Sequence, residues 1–185
     1  MTQTNSTDRV ETILETAEKR IRQGGFNQIS FRDIATEVGI KSSSVHYHFP
    51  KKEDLGRAVV ERYGRTLLDS LGPADKPDEK PAHRIQRLGE VYLHALQSQN
   101  TICLGCVLGA ESAGLPTEVQ KAVEVFFQKM LNWTDTAVSG AKSAAADADY
   151  IISALQGAMV LSIALKKPDP LEKTARLLVQ MIDDA

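Results

Sequence analysis

The sequence predicts an all-α chain of about nine helices, and three observations lead there. Apolar residues recur at three- and four-residue spacing in run after run. Most of the seven prolines fall between those runs rather than within them. No stretch alternates as a half-buried strand does, and aromatic residues make up only 5% of the chain. With 42% apolar and 25% charged residues, the 185-residue chain is rich enough to bury a core and too apolar for disorder. A net charge of −2 excludes binding to nucleic acid through a bulk electrostatic coat, while leaving room for local positive charge at a specific site. Two cysteines exclude a disulfide framework and point to a reducing, cytoplasmic setting.

Taken in order, Val10, Ile13, Leu14, Ala17 and Ile21 fall on one helical face. Gly24 and Gly25 end that helix, with Lys19, Arg20 and Arg22 in its last turn, where the macrodipole favours cations. Ser30 is placed to cap a second helix, with Asp33 at its third position, Ile34, Ala35 and Val38 on one side and Gly39 at its end. Ile40 plugs the turn, residues 41–49 form a third short helix, and Pro50 closes it. Residues 51–54 open a longer helix with the apolar face Leu55, Val59, Tyr63, Leu67 and Leu71. Residues 72–78 are turn-rich. Helix resumes at Pro81 with Ile85, Leu88, Val91, Tyr92, Ala95 and Leu96 on one face. Residues 101–113, apolar and glycine-rich, give a short helix, and Thr117 begins another that runs toward Val138. Two last helices, about 147–166 and 169–182, are divided by Pro168 and Pro170. The most apolar stretch, residues 150–165, is shorter than the roughly 20 residues of a membrane span, so it reads as a buried helix and not as a membrane anchor.

The second and third helices are too short to be stable alone and must pack on the first. Small Ala35 at their crossing, Gly39 in the turn, and Ile40 with Val45 beneath make a helix-turn-helix pattern, in which the second helix of the pair enters the DNA major groove. The polar residues of that helix suit the task. Ser42, Ser43 and Ser44 allow close approach, and His46, Tyr47 and His48 offer ring donors. Lys52, at the start of the next helix, is placed to hold a phosphate.

Residues 31–40, FRDIATEVGI, followed by residues 43–55, SSVHYHFPKKEDL, resemble the DNA-binding domain of the TetR family of bacterial repressors. The resemblance covers about residues 10–55; beyond it the chain matches only in helix number and length. It implies an all-helical homodimer, a palindromic double-stranded operator and a small-molecule inducer held among the C-terminal helices. It makes Arg32 and Ser43 base or near-base contacts, Ser44, Tyr47, His48 and Lys52 phosphate contacts, and His46 either. Two positions depart from the family pattern. Lys41 stands where a capping Ser is frequent, so either Ser42 caps the helix or Lys41 reaches a phosphate. His46 stands where Tyr is common, which leaves base preference there open.

Domain organisation follows, with residues 1–55 as the DNA-binding domain, residues 56–185 as the ligand-binding and dimerisation domain, and the helix over about 51–71 as the link. Tyr92, His94, Cys103, Phe126, Phe127, Met130, Trp133 and Met159 are candidates to line an apolar ligand cavity, against the alternative of a filled core. Cys103 and Cys106 form a CxxC without the further ligands a zinc site needs, so no metal or other cofactor is expected. Two small buried residues at a helix start is the bland reading of this pair. A thiol-based redox or electrophile sensor is the alternative, and a thiol enzyme a more distant one. No cofactor or catalytic motif is present, so an enzyme is not expected. The helix over 147–166 is apolar on nearly all sides and needs cover on all sides. Ile151, Leu155, Ala158, Met159 and Ile163, with Leu171, Leu178 and Ile182 of the last helix, are therefore the expected face for a second copy, the alternative being burial within the chain. The near-neutral total also hides a polarity. Lys and Arg outnumber Asp and Glu by eleven to nine up to residue 65, and are outnumbered by fifteen to eleven beyond it.

Overall fold

Glycine and capping side chains set several helix boundaries in the computed structural model of the chain, which describes residues 6–99, 101–143 and 145–183. These residues form nine α-helices and no strand. They are α1 (Ser6–Gly24), α2 (Phe31–Val38), α3 (Ser42–His48), α4 (Lys52–Leu71), α5 (Pro81–Gln99), α6 (Leu104–Ala110), α7 (Thr117–Val138), α8 (Ala148–Leu165) and α9 (Asp169–Asp183). Single 3-10 turns cover Phe26–Gln28 and Ser112–Gly114.

The helices fall into two compact units. The first holds residues up to Arg65 together with Leu104–Phe126. The sequence boundary at residue 55 puts α6 and the start of α7 with the C-terminal part, whereas in the structure this segment packs with the N-terminal helices. Ile13, Ala17, Ile21, Ile34, Val45, Leu55 and Val59 make the core of this unit, each removed from solvent. Arg62 of α4 clamps α1 by pairing with Glu11, Glu15 and Glu18, three carboxylates on successive turns of one face.

Residues 66–103 and 127–183 make the second unit, in which α5, α8 and α9 pack on one another. Asp147 caps α8 by accepting from the Tyr150 amide at 2.7 Å. Among the described residues α8 alone is long and apolar enough to cross a membrane, and its inner face is packed in this bundle. That inner face includes Ile151, Ile152, Leu155, Gln156, Ala158, Met159 and Ser162, all buried. Fully burying one such aliphatic side chain contributes about 1.5–3 kcal/mol.

Candidate nucleic-acid interface

The geometry of α2 and α3 is set locally. The Ser30 side chain accepts from the Asp33 amide at 3.3 Å and so starts α2. Gly39 ends it with φ 75°, a left-handed conformation that glycine adopts without steric cost, and the Ile40 amide then bonds the Ala35 carbonyl at 2.9 Å. Across the pair, α1 holds α2 by charge. Arg20 Nε donates to Glu37 Oε2 at 3.0 Å, and Lys19 Nζ lies 3.4 Å from Glu37 Oε1. Slight burial opposes ionisation of Glu37, but the bonds from Arg20 and Lys19 outweigh it and hold the carboxyl below its ordinary value.

α3 is two-sided. Val45 is fully buried and Phe49 nearly so, which fixes the inner face. Ser43, His46 and Tyr47 lie on the outer face, together with Lys41 just before the helix and Arg32 on α2. Tyr47 is 82% exposed, a large aromatic side chain with no place in the core. Its ring meets His48 edge-on at 5.1 Å, and the His46 ring meets Phe31 at 4.6 Å. These contacts orient the three rings while leaving their outer edges accessible. Ser42, Ser44 and His48 are half-buried at the sides of the helix. Lys41, not Ser42, occupies the N-cap, and it makes no side-chain capping bond. Of the two readings of that position, capping by Ser42 is therefore excluded, because Ser42 already lies within the helix.

Lys52 opens α4 beside the α1–α2 corner. It is half-buried, and its ammonium lies 4.7 Å from the centroid of the Phe26 ring. Burial lowers its pKa, against the opposing charge of Glu111. The start of α4 is capped from within, since Asp54 accepts from the Lys51 amide at 3.0 Å.

Several of the candidate ligand residues serve as packing. Phe126, in the first unit, is wedged against two glycines: a Cβ at Gly105 would meet its ring at 2.2 Å and one at Gly64 at 3.3 Å. In the second unit the Trp133 indole N–H already donates to the Gly72 carbonyl at 2.8 Å, with the Arg87 guanidinium over its ring. Met130 is buried, Phe127 half-buried and His94 exposed. The other three candidates come together around a residue the sequence reading did not select. The Gln156 amide nitrogen donates to Tyr92 Oη at 3.0 Å and to Cys103 Sγ at 3.5 Å. The Cys103 amide donates to Met159 Sδ at 3.1 Å. Gln156 Oε1 is buried without a partner. A glutamine within an apolar helix was the available signal, because such a group is buried only where partners exist. Neither cysteine is in a disulfide; Cys103 is buried and Cys106 half-buried.

The proposed partner-facing residues are also placed differently. Ile151, Leu155, Ala158, Met159, Leu171, Leu178 and Ile182 are buried within the chain itself, and Ile163 is half-buried. The large apolar residues of these two helices that stay exposed are Tyr150, Val160, Leu161, Leu165, Leu177 and Met181.

Comparison with known proteins agrees with this architecture. Residues 13–59 match the family described as "Bacterial regulatory proteins, tetR family". The crystal structure of a TetR transcriptional regulator from Legionella pneumophila is 30% identical, with a TM-score of 0.87 over 98% of this chain and 100% of that one. A TetR-family regulator from Agrobacterium tumefaciens, 24% identical, shares the fold with a TM-score of 0.87 over 96% of this chain and 99% of its own. In sequence, the HTH-type transcriptional repressor DhaR of Mycobacterium sp. (strain GP1) is 24% identical over 87% of this chain and 85% of its own length.

Proposed function

This chain belongs to the TetR family of bacterial transcriptional regulators, and on that premise we propose that it is a cytoplasmic homodimeric repressor that a small molecule releases from a palindromic operator. It is a regulator and not an enzyme. The observation that carries the reading is the division of α3, with Val45 and Phe49 inside and Ser43, His46 and Tyr47 outside. An outer face with that much aromatic and imidazole surface has no structural use in the free chain, and it suits phosphates and base edges. Arg32 and Ser43 read bases in this scheme, Lys41, Ser42, Ser44, Tyr47, His48 and Lys52 position the backbone, and His46 does either.

Dimerisation is assigned to the exposed side of α8 and α9. Gly157, Val160, Leu161 and Ala164 recur at the spacing of one helical stripe, and no atom lies within 4 Å of the place a Gly157 Cβ would take, which leaves room for close approach of a second helix. The inducer is assigned to the surroundings of Gln156. A neutral, mostly apolar molecule bearing one hydrogen-bond donor would satisfy Oε1, whose isolation costs about 1–3 kcal/mol.

Selection of duplexes from a random library by the wild-type protein tests the reading. Enriched sequences should form inverted repeats with half-site centres about 10–10.5 base pairs apart or a multiple of that. Binding should weaken steeply with salt, and Leu161→Glu should yield monomers in sedimentation and abolish binding. Enrichment of asymmetric sites, or a Leu161→Glu protein that remains dimeric, would count against it.

A further inference from the structure

Glu111 follows the last turn of α6, and its side chain reaches back across 85 positions of sequence to the corner between α1 and α2. There Glu111 Oε2 accepts from the Phe26 amide at 2.8 Å. That amide opens the 3-10 turn after α1, a position whose N–H has no partner within the turn and which no neighbouring side chain caps. The corner is shaped for the carboxylate. Gly25 has φ 84°, and a Cβ on it would stand 1.9 Å from Glu111 Oε1. The Phe26 ring is held in turn by α4. Lys52 Nζ lies over its face, and a Cβ at Gly56, one turn on, would meet the ring at 2.5 Å. Phe26 is thus gripped at its amide by α6 and at its ring by the helix that follows α3.

Glu111 is also firmly mounted. Its amide donates to Val107 O at 3.2 Å, and its carbonyl accepts from the Gly114 amide at 2.8 Å. Gln120 of α7 then pins the following turn by donating to the Ser112 and Leu115 carbonyls at 2.9 and 2.8 Å. Leu104 and Leu108 are fully buried, and Gly105 leaves no room between α6 and the Phe126 ring. A carboxylate on so fixed a base holds the α1–α2 corner in one place.

We propose that Glu111 is a positioning residue for operator binding: by holding the Phe26 amide it fixes the corner from which α2 and α3 are presented. The proposal rests on the DNA-binding reading above, which wild-type binding to the library-selected duplex establishes separately. Glu111→Ala removes the acceptor, Glu111→Gln keeps a neutral acceptor of equal reach, and Glu111→Asp keeps the charge but falls one methylene short. Hydrogen exchange of the free protein reads the Phe26 amide, and fluorescence anisotropy reads affinity for the selected duplex. Glu111→Ala and Glu111→Asp should each lose about tenfold in Phe26 protection and about tenfold in affinity, and Glu111→Gln should recover both to within about threefold. Should the alanine variant fail to fold, the aspartate variant decides. Wild-type affinity in Glu111→Ala or Glu111→Asp overturns the proposal, and so does a Glu111→Gln protein as impaired as Glu111→Ala. A set in which no variant folds equally overturns a positioning role in favour of a purely structural one.

Discussion

The two units are held together by different forces. In the first, directional polar ties join α1 to α2 through Arg20 and Glu37, α1 to α4 through Arg62, and the α1–α2 corner to α6 through Glu111. In the second, α5, α8 and α9 meet largely through apolar side chains such as Leu88, Ile151, Leu155 and Leu178, with fewer polar ties, among them the buried cluster at Gln156, the Leu171 amide donating to Ser162 Oγ, and the Arg87–Glu79 pair. Burial is strong but indifferent to direction, whereas charge-assisted bonds specify geometry and respond to ions. A unit whose task is to present side chains to a periodic lattice of phosphates needs the second kind of tie. A unit that, on the function proposed above, would hold a ligand and a partner while staying assembled is served by the first.

Substitutions can break this contrast one force at a time. The largest effect should come from Leu155→Ala, which empties a fully buried position; a loss of about 2–5 kcal/mol in denaturant unfolding is expected, nearly independent of salt. Arg62→Ala should cost less, about 1–2 kcal/mol, because Glu11 and Glu15 are more than half exposed while Glu18 is not. Its cost should shrink in 0.5 M NaCl (roughly a 4 Å screening length), and a salt-independent cost would erase the distinction between the units. Tyr47→Ala should leave stability within about 0.5 kcal/mol yet weaken binding to the selected duplex by about fivefold, near 1 kcal/mol; unaltered affinity would remove Tyr47 from the reading face.

The smallest effect concerns Lys52. Burial holds its pKa below the ordinary 10.5, with Glu111 pulling the other way. Near neutrality the ammonium is charged in both folded and unfolded chains, and the desolvation penalty is present. As pH rises through the lowered value toward 10.5 the folded chain loses its proton first, so the penalty disappears. Lys52→Met lacks the group, so its stability advantage on this account should narrow in alkali. Unfolding measured from pH 8 upward reads it, and an advantage that widens would reverse the sign assigned to burial.

The reading helices were legible because their determinants are local. A cap at Ser30, a turn at Gly39, and Val45 and Phe49 at helical spacing are all short-range features, and the structure realises each of them. Which side of α8 faces inward was not legible. Apolar residues surround that helix, so periodicity offers no preferred direction, and Ile151 and Leu155 lie inside while Leu161 and Leu165 lie outside. Glu111 was equally hidden, since nothing near it in sequence indicates an amide 85 residues away. Trp133 looked like a handle for a ligand because a buried indole needs an acceptor, but sequence alone could not say that the Gly72 carbonyl supplies it.

That last bond makes the protein its own optical reporter. The chain has a single tryptophan, so its ultraviolet emission comes from one place. The indole is nearly buried and donates to the carbonyl of the residue immediately after α4, the helix whose first residue is Lys52. Any compound that displaces the end of α4 must break or bend this bond and admit water, which shifts the emission to longer wavelength. Small molecules can therefore be screened against the unlabelled protein, without knowledge of the operator, by the colour of one residue.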